Sequence, residues 1–175
     1  MVDFPDMICI EPLTSPGACR DDISPMKPTR SVTIRELAAD EMHALLARSH
    51  VGRIAFSFND QVDIRPIHYV YADNWLYGRT SPSDKLVTLR HNQWVAFEVD
   101  EVKGPFDWQS VVAYGSFYRL SDESTPQYLE LRDEALKLIR SFAPETLRET
   151  DPVPFRTELF AIAIDRLTGR AASTH

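Results

Sequence analysis

Cysteine is scarce in this chain of 175 residues: there are two, Cys9 and Cys19. They form no C-x-x-C pair and no metal-ligand spacing, which argues against a zinc module. Two free thiols are the plain expectation, and a disulfide between them stays open. Metal-binding histidine patterns are missing too. His43, His50, His68, His91 and His175 are scattered and make no recognisable motif. Glycine-rich phosphate loops are absent, since no GK[ST] run and no G-x-G-x-x-G occurs. Excess positive charge is also lacking. The formal net charge is −7 and the pI about 5.2, which argues against non-specific nucleic-acid binding. No apolar run reaches membrane-spanning length. The opening MVDFPDMICIEP has neither a basic start nor a long apolar core, so no secretory signal is read and the cytoplasm is the expected location. There is no internal repeat and no low-complexity tract.

What remains is an ordinary globular composition, 43% hydrophobic and 26% charged, on a chain long enough for one domain with a core. Residues 1–31 carry five of the twelve prolines (Pro5, Pro12, Pro16, Pro25 and Pro28) and no clear periodicity. They read as an extended or partly disordered arm. The folded domain is expected over 32–175.

The chain is organised around residues 50–85. Residues 51–58 are rich in β-formers. Residues 62–71 alternate: Val62, Ile64, Pro66, His68 and Val70 share one face, and Asp63, Arg65, Ile67, Tyr69 and Tyr71 the other. Residues 74–80 follow as a third strand. Asn59-Asp60 and Ala72-Asp73-Asn74 supply the turns. Further strands are expected at 93–102, 108–120 and 158–165, the last ending at Thr168-Gly169. A short strand at 32–37 precedes a helix at 39–49, whose cap is weak because Ala38 and Ala39 stand where a hydroxyl residue is preferred. A second long helix is expected over 126–142, with Leu129, Leu136 and Ile139 on its buried stripe. Residues 143–155 form a loop with three prolines. These elements predict a mainly β domain with flanking helices, built on an antiparallel barrel of six strands.

The chemically suggestive stretch is Arg79-Thr80-Ser81-Pro82-Ser83-Asp84-Lys85. A strand ends at Thr80, and Pro82 suits the first turn of a short helix running to about His91, with Ser81 as its cap. The free N–H groups of a first turn favour an anion. Arg79 and Lys85 flank that point, and three hydroxyls lie between them. The stretch can hold a phosphate monoester. It can equally be a plain strand-to-helix turn, where Ser, Pro and Asp are common.

LLARSHVGRIAFS, IRPIHYVYADNWLYGRTSPSDK, VAFEVDEV and WQSVVAYGSFYRL together resemble the pyridoxamine 5′-phosphate oxidase-related family of FMN-binding split β-barrels. The branch with nitroimidazole-resistance-type proteins is the most similar. The resemblance runs from about Ile34 to Arg170, with the pieces in the family's order. It implies a split barrel, a homodimer, and FMN at the subunit interface. Carried over by position, it implies that Arg65, Pro66, Ile67 and His68 run beside the flavin ring. Arg79, Thr80, Ser81 and Lys85 hold its phosphate, Lys85 most firmly because the S-x-K spacing matches. Trp108, Gln109 and Ser110 reach it from the strand edge or the other subunit, unless they only pack the barrel. Pro66 has no N–H for a ladder and marks an edge, an interrupted pairing or a bulge. His68 is either a proton-shifting group beside the flavin or a packing residue.

The resemblance implies an FMN-dependent oxidoreductase acting on a small molecule such as a nitro compound or quinone, with no dedicated catalytic residues. A deazaflavin cofactor or haem are alternatives, as is a flavin-binding or sensing protein without turnover. True pyridoxamine phosphate oxidase activity is not expected. Its Arg-rich substrate motif and proline-ended terminal segment are missing, and this chain ends RLTGRAASTH.

Overall fold

Side chains alternate along the strands, and every second one turns into a shared interior. The computed structural model describes residues 31–58, 61–82, 86, 89, 92–120 and 126–174, with the side chain of Phe58 left aside. The expected turn at Asn59-Asp60 and most of the expected short helix at 82–91 lie outside the described residues. Residues 1–30 of the expected arm at 1–31 do too.

Among the described residues, seven strands and two long helices follow in the order β1 (Val32–Glu36), α1 (Ala39–Arg48), β2 (Val51–Phe58), β3 (Gln61–Ala72), β4 (Trp75–Thr80), β5 (Trp94–Gly104), β6 (Asp107–Arg119), α2 (Pro126–Phe142) and β7 (Glu158–Thr174). All pairings are antiparallel, in the order β1-β7-β4-β3-β2-β5-β6, and β6 pairs back onto β7. The expected six strands are therefore corrected to seven. Six close the ring, and β1 adds to the far end of β7, with Val32 opposite Thr174 and Glu36 opposite Arg170.

The end of the last strand is also corrected, from Asp165 to Thr174. Gly169 looked like a terminator, but it serves close packing. A Cβ there would sit 2.9 Å from the Met42 side chain and 3.0 Å from that of Leu37. The strand passes beneath α1 and continues.

The interior of the ring is filled by Ile54, Phe56, Ile67, Tyr69, Leu76, Val95, Phe97, Val99, Val111, Phe117, Phe160 and Ile162, with Leu45 and Leu46 of α1 closing one end. Leu86 and Leu89 are buried against the same core. Phe97 meets Tyr69 edge-on at 4.9 Å. The phenol of Tyr69 donates to the Leu46 carbonyl at 2.9 Å, and burial pushes its pKa up. A second cluster lies outside the ring. There α2 lays Ala135 and Ile139 over Tyr77, Leu159 and Ala161. This explains why β4 and the start of β7 are apolar on both faces, while β2, β3 and β5 alternate.

Local chemistry sets the ends of these elements. Asp73 and Asn74 adopt φ of 48° and 64°, the left-handed pair of a two-residue hairpin turn between β3 and β4. Ala38 offers α1 no side-chain cap, as expected. Instead the Glu41 carboxylate accepts the Ala38 N–H at 2.9 Å, while Arg35 holds the same carboxylate. The Arg35 hydrogen bond, then that from Ala38, lowers the Glu41 pKa to about 2.

Candidate functional site

Pro66 is the place to begin, because β3 changes partners just beyond it. Residues 61–68 pair with β2, and residues 69–72 pair with β4. Among the described residues, no strand covers the other edge of 61–68. The Tyr69 N–H points toward β2, donating to the His50 carbonyl at 3.0 Å. Backbone groups alternate sides along a strand, so those of Pro66 face the uncovered edge. Proline's missing donor falls where there is no described ladder to complete, and the Pro66 carbonyl is left as an open acceptor among the described residues. The interrupted pairing expected from Pro66 is present, and it splits the barrel.

Side chains around this opening sort by face. Ile67 is buried inside the barrel, so only its backbone is near the outer surface. Arg65 is exposed and bonds Asp63 at 2.9 Å. Pro66 and His68 are exposed on the outer face, beside Val62 and Ile64, which are 71% and 59% exposed.

The end of β4 is differently arranged. Thr80 is buried, and Ser81 is half-buried just past the strand. Arg79 points outward with a side chain only 10% exposed, and it clasps Asp151, whose side chain is 1% exposed. The guanidinium donates to both carboxylate oxygens. Asp151 also accepts the backbone N–H groups of Leu147 at 2.7 Å and Val153 at 2.9 Å. The Arg79 hydrogen bond, with help from these two amides, holds the Asp151 carboxyl well below the usual carboxylate range. Arg79 is thus the anchor of the 143–156 loop. Ser83 and Lys85, expected beside it, lie outside the described residues.

A cavity of about 290 Å³ opens between β3, β4, α2 and this loop. His68 and Arg79 meet there, with Tyr77, Phe142, Val153 and Arg156 among its walls. Phe142 is backed by the His50 ring, stacked at 4.2 Å between centroids.

Trp108, Gln109 and Ser110 start β6, away from His68 and Arg79. Trp108 and Ser110 line a separate cavity of about 500 Å³ with Leu37, Met42 and Arg170. Gln109 donates to Glu101 at 2.7 Å, and Glu101 is also held by Arg48. The Arg48 hydrogen bond is the main reason the Glu101 carboxyl sits below its ordinary pKa. The chain therefore brings His68 and Arg79 together at one cavity and Trp108 and Ser110 at another.

Asp151, Phe142 and Arg156 were not singled out from the sequence. A usable signal existed only for Asp151. Asp-Pro is a turn dipeptide, and the bond from the Val153 N–H to the Asp151 carboxylate is the Asx-type turn that such a dipeptide favours.

An antiparallel ring with one opened edge and a helix laid over β4 and β7 defines the class of split β-barrels. The family model described as pyridoxamine 5′-phosphate oxidase matches residues 38–171, and the chain belongs to that family. An FAD-binding protein of Mesorhizobium loti is 30% identical, with a TM-score of 0.65 over 80% of this chain and 99% of that one. The FAD-binding protein of Mycobacterium smegmatis is 27% identical, with a TM-score of 0.56 over 79% of this chain and 98% of that one. An uncharacterized protein of Rhizobium meliloti is 28% identical over 149 residues, 79% of this chain and 95% of its own length. Among the described residues, no helix is long and apolar enough to cross a membrane, and no group of three or more metal-ligating side chains occurs.

Proposed function

We propose that this protein is a flavin-binding oxidoreductase that carries FMN along the open edge of β3 and reduces a small organic molecule of the nitro or quinone type. The observation that carries the reading is the uncovered half of β3 at Pro66. There an open carbonyl and an exposed apolar shelf of Val62, Ile64 and Pro66 meet the needs of a flat ring with a polar edge. The two FAD-binding relatives support the flavin part of the reading.

The residues fit a flavin unevenly. In this reading the backbone of residues 65–68 lies beside the ring. Thr80, Ser81 and Lys85 hold the phosphate. Arg79 shapes the wall and anchors the loop, because its donors are turned to Asp151. Trp108, Gln109 and Ser110 line other cavities than that of His68, so in this reading they act from the partner subunit of a homodimer. The outer face of β2, β3 and β5 supplies the contact, with Val62, Ile64 and the 65%-exposed Trp94 unpartnered. When bound, the flavin supplies the electron transfer. The chain's own residues bind and orient it and exclude water.

The relatives named for FAD favour a second reading, in which the cofactor is FAD. The test is the visible spectrum of the desalted protein, with and without added flavin, followed by chromatography of the flavin released on heating. A flavin spectrum co-eluting with a dimer is expected. FAD in the released fraction selects the second reading. A tightly held flavin that no nicotinamide nucleotide reduces selects a binding or sensing role. No retained or saturable flavin sinks the proposal and turns the search to a deazaflavin or haem.

A further inference from the structure

The cavity between β4 and α2 holds a charge that no described residue around it neutralises. Its walls are mostly apolar, with Tyr77, Ile139, Phe142 and Val153 contributing rings and branched chains. Two arginines line it. Arg79 is spent on Asp151. Arg156 is half-buried and, among the described residues, its guanidinium has no ion pair or side-chain hydrogen bond. Among the described residues, no carboxylate lines the cavity.

We infer that this cavity binds a single-ring aromatic molecule carrying one anionic group, with the ring between Tyr77 and Phe142 and the anion on Arg156. A cation half removed from water and facing apolar walls favours a counter-charge. A guanidinium fork matches a carboxylate, which is planar with two charged oxygens. The volume, about 290 Å³, is at the small end of ligand cavities. It suits one substituted ring better than three fused ones. Loop residues Val153 and Arg156 stay in place because Asp151 is tied to Arg79 from one side and to the Val153 amide from its own. The role of this molecule as substrate rests on the flavoprotein reading. The site itself does not.

The test uses 4-nitrobenzoate and the neutral 4-nitrobenzamide as probes, titrated calorimetrically into the full chain without any electron donor. Arg156→Gln and Arg156→Lys are compared with the parent protein, and FMN is titrated separately into each. Parent protein is expected to prefer the carboxylate. Arg156→Gln is expected to weaken the carboxylate about tenfold or more and leave the amide unchanged, as loss of a charge-assisted bond requires. Arg156→Lys is expected to recover part of the loss. Equal binding of both probes by the parent, or an unchanged carboxylate affinity in Arg156→Gln, overturns the inference. So does a parallel loss of FMN affinity, which would give Arg156 to the cofactor. Arg156-dependent carboxylate binding in a protein that takes up no flavin would uphold the site and refute the flavoprotein reading instead.

Discussion

Arg79 and Asp151 lie 72 residues apart and form the most enclosed ion pair among the described residues, both guanidinium ends facing both carboxylate oxygens. The pair ties the loop before β7 to the outer side of β4. It also decides what Arg79 can do: a guanidinium engaged in this way is a poor free ligand for a passing phosphate.

Replacing Asp151 with asparagine removes the charge that Arg79 was buried against and weakens two amide contacts. Thermal unfolding is expected to fall by at least about 5 °C, because one partner of a buried pair is left uncompensated. Proteolysis in the 143–156 loop should accelerate in the same variant. If FMN affinity falls no more in Arg79→Ala than in Asp151→Asn, Arg79 acts on the cofactor only through the loop.

The same carboxylate sets an acid limit. Its folded pKa is depressed, so its contribution is complete above the unfolded value near 4 and is lost as pH falls through the lower folded value. Stability measured by urea at pH 7, 4 and 3 should therefore fall for the parent. Asp151→Asn should begin lower and decline less steeply. Parallel curves would remove Asp151 from the account of acid sensitivity.

Gly115 sits at an irregularity between β6 and β7, where Tyr114 faces Arg166 and Gly115 faces Ile164. A Cβ at this position would lie 1.9 Å from the Ala163 carbonyl oxygen, which is backbone and has little room to move. Gly115→Ala is expected to cost about 2 kcal/mol or more, read from the urea midpoint. A neutral result would mean that the ring can relax at its closing seam.

Ile64 and Trp94 project from the outer face, 59% and 65% exposed. If that face is the homodimer contact, Ile64→Asp places two like charges near its centre. The dimer should weaken by roughly 2 kcal/mol or more and run as a monomer in sedimentation at micromolar concentration. Unchanged dimerisation would move the contact elsewhere.

Much of the fold was legible because its signals are local. A run of β-formers in residues 51–58 and alternation in 62–71 marked β2 and β3, and Pro126 with the apolar spacing after it marked α2. β1 was read as a strand but not counted in the barrel, since its partner is the far end of β7 and nothing near Val32 announces that pairing. The split at Pro66 was visible because proline carries its own backbone restriction. The Arg79 clasp was not, because an ion pair across 72 residues has no pattern in one sequence. Arg156 was equally silent: its interest lies in lacking a partner among the described residues, which only packing reveals.

The 17-residue strand β7 touches three others: β4 through residues 158–163, β6 through 160–172 and β1 through 170–174. It is also translated after all of them. Until it emerges, the growing chain holds β4 and β6 as two unfilled edges, each able to pair with a neighbouring nascent chain. A ribosome that stalls between α2 and β7 therefore releases a sticky half-cylinder, and the chief hazard to this protein falls in the seconds before its last strand arrives.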